Sequence, residues 1–134
     1  MIITCDDREP KKMDELAEQV GGITFDRKRL TTGDYIYGDV IIERKTIDDF
    51  CSSIKDGRLK GQIAKMKASP YKHIYILISG HISTRTSDIH EHSILGMMAS
   101  ILVKHNISII TVETDKHLVY IMKRIFERHS DELI

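Results

Sequence analysis

The segment Asp39-Val-Ile-Ile-Glu43-Arg44-Lys45 concentrates two carboxylates and a lysine in one short run. Side chains alternate between the two faces of a β-strand. On such a strand Asp39, Ile41, Glu43 and Lys45 share one face, and Val40, Ile42 and Arg44 share the other. Asp34, on the preceding strand, is expected to add a third carboxylate at the same end. Clustered carboxylates repel one another unless a cation joins them. Oxygen-only ligands favour a hard ion, here Mg²⁺ or Mn²⁺, so Asp34, Asp39 and Glu43 are the candidate metal ligands. A metal so held polarises a phosphoryl oxygen and lowers the pKa of a bound water. Lys45 would stabilise transition-state charge or help orient and deprotonate the nucleophile. The chemistry indicated is phosphodiester hydrolysis. An acid two residues before a lysine is also common on a solvated strand face. That bland reading leaves Ile41 exposed between charges and ignores the ordered charges on either side.

The elements that must position these groups alternate between strand and helix. Met1 to Thr4 reads as a short buried strand running into the charged loop Asp6-Asp7-Arg8-Glu9-Pro10. Lys11 to Gln19 carries Met13, Leu16 and Ala17 at helical spacing, with Val20 beyond them, and Gly21-Gly22 ends that helix. Ile23 to Asp26 is a second strand. Gly33 to Tyr37 and Val40 to Lys45 form two strands joined tightly at Gly38-Asp39, a hairpin signal. Thr46 is a good N-cap, with Asp48 and Asp49 in the first turn of the next helix. Asp56-Gly57 stops that helix, and Arg58 to Lys67 starts another. His73 to Ser79 is a strongly apolar strand, expected to be central. A helix to about Val103, a strand over Ile107 to Val112 and a helix capped by Thr114 and running to about His129 complete the chain. The pattern predicts an α/β fold, a central mixed β-sheet flanked by α-helices.

Asp34, Glu43 and Lys45 match the D…ExK pattern of restriction-endonuclease-like nucleases. Their surroundings narrow the match. Gly33-Asp34-Tyr35 followed by Glu43-Arg44-Lys45-Thr-Ile-Asp-Asp49 resembles the GDx(n)ERKxxxD signature of the XPF/ERCC4 nuclease family. Asp6-Asp7-Arg8-Glu9 is similar to that family's upstream D-x-R-E. Ser53-Ile-Lys-Asp-Gly-Arg58-Leu-Lys-Gly-Gln62 is similar to its downstream S-I-x-D-G-R-L-x-x-Q. The resemblance covers nearly the whole chain and is greatest to archaeal XPF and Hef nuclease domains. It implies a restriction-endonuclease-like fold, a Mg²⁺- or Mn²⁺-dependent site, and cleavage of branched DNA such as flaps, forks and splayed arms. It also implies a core set of Asp34, Glu43 and Lys45, with Asp6, Arg8, Glu9, Asp39 and Asp49 in support. Arg44, pointing away from Glu43, reads as an organiser that pairs with Asp49. Arg58 and Gln62, one helical turn apart, read as a DNA-contacting face. The family usually adds a helix-hairpin-helix domain; residues 1–134 are expected to form a single nuclease domain without one.

Two other classes are weighed against this reading. A non-catalytic, DNA-binding scaffold subunit of a heterodimeric nuclease would have lost acids or the lysine, and here all are present. A Holliday-junction resolvase or restriction enzyme on the same core would not need the ERKxxxD extension.

The 134 residues, 41% apolar, suffice for one globular core. The formal net charge of zero neither demands nor excludes nucleic acid, since binding needs a local basic surface. Cys5 and Cys51 lack metal-ligand or redox spacing, no secretory signal is visible, and no apolar run can span a bilayer. An intracellular protein is expected, cytoplasmic in a prokaryote or archaeon and nuclear in a eukaryote. His90-Glu91-His92 reads as structural rather than metal-binding. The final helix carries Leu118, Ile121, Met122, Ile125 and Phe126, a wide apolar stripe. The helix before it carries Ile94, Met97, Met98, Ile101 and Leu102. Surplus apolar surface marks interfaces; with the family resemblance, these stripes imply a two-fold homodimer, or a heterodimer with a related subunit.

Overall fold

The computed structural model describes residues 1–131. Six strands form one sheet: β1 (Ile2–Asp6), β2 (Thr24–Lys28), β3 (Tyr35–Tyr37), β4 (Val40–Thr46), β5 (His73–Ser79) and β6 (Ser108–Val112), in the order β2-β1-β3-β4-β5-β6. β1/β2, β4/β5 and β5/β6 pair in parallel, while β3 runs antiparallel to both β1 and β4. The sheet is therefore mixed, with the hairpin in its interior. β5 lies inside the sheet, as its apolar run requires.

Helices α1 (Lys12–Val20) and α5 (Asp115–Ser130) cover one face, packing Met13, Leu118, Met122 and Phe126 onto Ile3, Cys5, Val40, Ile42 and Leu77. Helices α2 (Ile47–Lys55), α3 (Arg58–Ala68) and α4 (Glu91–Lys104) cover the other, packing Phe50, Leu59, Ile63 and Ile101 onto Ile76 and Ile78. This sheet flanked by helices is the restriction-endonuclease-like architecture implied by the motifs.

The apolar stripe of α5 turns out to be core. Leu118, Met122 and Phe126 are fully buried, and Ile121 and Ile125 pack against the same cluster. Ile121 and Ile125 keep part of their surface exposed, so most but not all of the stripe is committed to the sheet. On α4, Ile94 and Ile101 are buried, whereas Leu95, Leu102 and Val103 face outward.

Local signals set the boundaries. Gly21 has φ 80° at the end of α1. Thr46 Oγ1 accepts the Asp49 N–H at 3.1 Å, and Thr114 Oγ1 accepts the His117 N–H at 3.2 Å. His90 is itself a cap: its Nδ1 accepts the His92 N–H at 3.0 Å. Its role is thus to start α4.

Candidate active site

Sheet register decides which acids meet. β3 and β4 pair Tyr35 with Ile42 and Tyr37 with Val40. The ladder slips just beyond β3: the Asp34 N–H donates to the Ile42 carbonyl at 2.9 Å, one residue out of step with the Tyr35–Ile42 pair, so Asp34 leaves the strand in a bend and its side chain reaches Glu43. On the other side the Asp6 N–H donates to the Asp34 carbonyl at 2.8 Å. Asp6, Asp34 and Glu43 thus form a row across β1, β3 and β4, on the face covered by α2, α3 and α4. Lys45 lies two residues further along that face and is buried.

Gly33 makes this row possible. Its φ is +71°, and a Cβ there would sit 2.5 Å from Ile41 Cδ1. The bare glycine backbone lies on Ile41, which is fully buried. The isoleucine between the charges is thus a floor beneath the acids rather than an exposed residue.

The electrostatics of the pair are unfavourable without a cation. Burial pushes the Asp34 carboxyl up to about 8, with the Glu43 and Glu9 charges adding to the shift. Burial likewise raises Glu43, against the opposing pull of Lys45. Asp34 also accepts the Arg44 N–H at 2.8 Å. Among the described residues no three acids, histidines or cysteines cage an ion. Two adjacent carboxylates suit an ion such as Mg²⁺, which takes one or two carboxylates and keeps several waters.

Asp6 has another task. Its buried carboxylate accepts Arg8 Nε at 2.9 Å and the Leu30 N–H at 3.1 Å. Burial alone would raise it, but the Leu30 and Arg8 hydrogen bonds outweigh that and hold it below the ordinary carboxylate range. Arg8 also donates to the Leu30 carbonyl at 2.9 Å. Together they anchor the loop that delivers Asp34.

Arg44 does not pair with Asp49. Its Nε meets Glu9 Oε1 at 2.6 Å, and its Nη1 lies 3.9 Å from Asp115 Oδ1. Alternation puts Arg44 on the α1/α5 face, whereas α2, which carries Asp49, packs on the opposite one. Asp49 is exposed, and its backbone only completes the Thr46 cap. Asp115, in turn, is held by Lys12 Nζ at 2.8 Å. This network, in which the largely buried Glu9, Arg44 and Asp115 are joined at the surface by the exposed Lys12, ties β4 to α1 and α5. Sequence reasoning missed Asp115 and Lys12; the helix cap at Thr114 was the only nearby signal.

Asp39 is separated from the acids. It sits exposed in the hairpin turn, four residues from Glu43, about 13 Å at the usual strand rise. Its carbonyl accepts the Lys72 and His73 N–H groups, and its carboxylate lies 3.9 Å from His73 Nε2. A shared strand face fixed its parity, but antiparallel pairing sends Asp34 to the Glu43 end. The structure thus brings together Asp34, Glu43 and Lys45, and leaves Asp39 at the other end of β4.

Asp56 accepts the Arg58 N–H and pairs with Arg58 Nε at 2.7 Å, fixing the start of α3. Asp56 is held below the ordinary carboxylate range by the Arg58 N–H first, and the Lys45 charge contributes. The α2–α3 turn therefore lies within electrostatic reach of Lys45. Gln62, on the same flank of α3, has a buried Oε1 without a hydrogen-bond partner among the described residues.

The family model described as "ERCC4 domain" matches residues 5–125, which include every element of this site. The chain belongs to the ERCC4 domain family. Similar ERCC4 relatives include the 3′-flap repair endonuclease Xpf of Saccharolobus solfataricus, 28% identical over 129 residues, covering 94% of this chain and 54% of the relative. The crossover junction endonuclease MUS81 of Debaryomyces hansenii is 38% identical over 72 residues, covering 54% of this chain and 11% of that protein. This ERCC4 domain thus spans about half of the first and a tenth of the second. XPF from Aeropyrum pernix superposes with a TM-score of 0.89 at 26% identity, over 99% of this chain and 67% of that one. The same protein in complex with DNA gives 0.82 at 26% identity, over 96% of this chain and 64% of that one. No helix among the described residues is long and apolar enough to cross a membrane.

Proposed function

We propose that this ERCC4 domain is a divalent-metal-dependent DNA endonuclease that hydrolyses phosphodiester bonds in branched DNA, in repair or recombination. The carrying observation is the bend after Gly33 that brings the Asp34 carboxylate to Glu43 and to the Arg44 N–H, with Lys45 on the same strand face as Glu43. Asp34 and Glu43 would hold Mg²⁺ or Mn²⁺. When bound, such an ion supplies Lewis-acid polarisation of the phosphoryl oxygen and an acidified water. The chain's own residues do the rest. Arg44 N–H orients the Asp34 carboxylate, and the Asp6–Arg8–Leu30 anchor holds the loop behind it. Lys45, buried beside Glu43, stabilises negative charge on the phosphoryl group. Arg58 and Gln62 contact the phosphate backbone beside the site. Flap, junction and DNA-complex descriptions of its relatives support a branched-DNA substrate.

The rival reading, an inactive scaffold subunit, fits poorly with an intact Asp34, Glu43 and Lys45. As in the notion of a paired nuclease, the domain forms a homodimer or a heterodimer with a related subunit. The surface available for that is the outer face of α4, where Leu95, Leu102 and Val103 are about 50%, 49% and 82% exposed. Cleavage of labelled fork, flap, duplex and single-stranded DNA in Mg²⁺, Mn²⁺ or EDTA tests the reading. Metal-dependent cutting of branched DNA is expected; undiminished cutting in EDTA, or none on any substrate, overturns it.

A further inference from the structure

Helix α3 carries Arg58, Lys60, Lys65 and Lys67 and no acidic residue. Successive helical residues advance by about 100°. Arg58, Gln62 and Lys65 therefore lie on one flank and Lys60 and Lys67 on the opposite one. The first flank is on the side of the acids, since Lys65 shares a cleft with Leu30, whose N–H the Asp6 carboxylate accepts at 3.1 Å. Arg29, Thr32 and Tyr71 line the same cleft. The second flank faces away, into a groove of about 650 Å³ between α3 and α4.

That groove has a distinct chemistry. Its floor is apolar, formed by Ile63, Ala64 and Met97, and its rim is cationic on both walls, Lys60 and Lys67 on α3 and Lys104 on α4. None of the described residues lining it is acidic. Among the described residues, none of these three lysines takes part in an ion pair; Lys67 meets only His105 Nδ1, at 3.3 Å. Lys60 and Lys67 are about 10 Å apart along the helix axis, two turns. A nucleic-acid backbone would use the rim but not the apolar floor, and the one ring at the groove among the described residues, His105, is held by Lys67 at 3.3 Å. An amphipathic helix uses both, laying apolar residues along the floor and presenting carboxylates to either rim.

We infer that the α3–α4 groove docks an acidic amphipathic helix of a partner protein, on the flank of α3 turned away from the catalytic acids. The inference goes beyond the nuclease reading and does not depend on it.

The test uses the whole chain, ¹⁵N-labelled, and a synthetic peptide of about four helical turns with leucines at i, i+3, i+4 and i+7 and glutamates flanking them. A scrambled peptide of equal composition and a deoxythymidine oligonucleotide serve as comparisons. The patterned peptide is expected to shift amides of residues 60–67 and 97–105. The surface double variant Lys67→Glu/Lys104→Glu is expected to weaken it about tenfold, as expected for lost rim charges, with DNA cleavage unchanged. Absence of groove shifts at millimolar peptide, or equal binding of the scrambled peptide, overturns the inference. So does displacement of the peptide by the oligonucleotide with loss of cleavage in the double variant, which would make the groove a nucleic-acid path. Peptide binding by a domain that cuts no DNA would sink the nuclease reading alone.

Discussion

Asp34 meets the Glu43 side chain from the bend that leads into β3, and its carboxylate accepts the Arg44 N–H at 2.8 Å. One backbone bond thus orients an acid whose charge is disfavoured by burial and by its neighbour. Four consequences of this arrangement can be measured.

Glu43→Gln and Lys45→Met should each lower DNA cleavage by at least ~100-fold, the scale for removing a metal ligand or an oxyanion stabiliser. Circular dichroism and most DNA binding should be retained. Turnover like that of the unchanged chain by either variant would remove this site from consideration.

Stability should fall with rising pH when no divalent ion is present. Asp34 has a folded pKa of about 8 against an ordinary 3.8. A carboxyl raised in the fold favours the folded state while protonated, so its contribution is complete below about pH 3.8 and lost progressively towards pH 8. Mg²⁺ should offset that loss. Thermal melts in EDTA and in Mg²⁺ should therefore diverge more at pH 8 than at pH 5; parallel curves would refute the paired-acid account.

The Glu9–Arg44 pair should be strongly coupled. Both side chains are largely buried, and removing one partner leaves a charge uncompensated, a cost of about 3 kcal/mol. Glu9→Gln, Arg44→Met and the double variant form a cycle in urea unfolding. The double variant should lose about 1–3 kcal/mol less than the sum of the singles. Strict additivity would show that the contact contributes nothing.

Gly33→Ala should destabilise the domain by more than ~1 kcal/mol, since it adds both positive-φ strain and a clash with Ile41. Because residue 34 follows directly, cleavage should fall as well. Ile41→Ala removes the clashing atoms, so the double variant should be less destabilised than the two losses combined. If the losses simply add, the close approach of Gly33 to Ile41 is not what requires the glycine.

The sequence by itself determined the elements, the mixed sheet and the identity of Asp34, Glu43 and Lys45 as a set. Those depend on short-range rules: strand alternation, caps at Thr46 and Thr114, glycines where φ is positive, and motifs whose order survives without coordinates. Tertiary structure decided what depends on register and on pairing between distant segments. Parity placed Asp39 on the same face as Glu43, but only the bend before β3 showed that Asp34 meets Glu43, and only the antiparallel ladder that Asp39 lies at the far end of β4. The partner of Arg44 could not be read locally, because Glu9 is 35 positions away and Asp115 enters from the last helix. The stripe on α5 had two physical outlets, the sheet or a second chain, and periodicity is the same for both. Only the packing of Leu118, Met122 and Phe126 onto the sheet assigned it to the core, because burial is a property of three-dimensional neighbours and not of spacing.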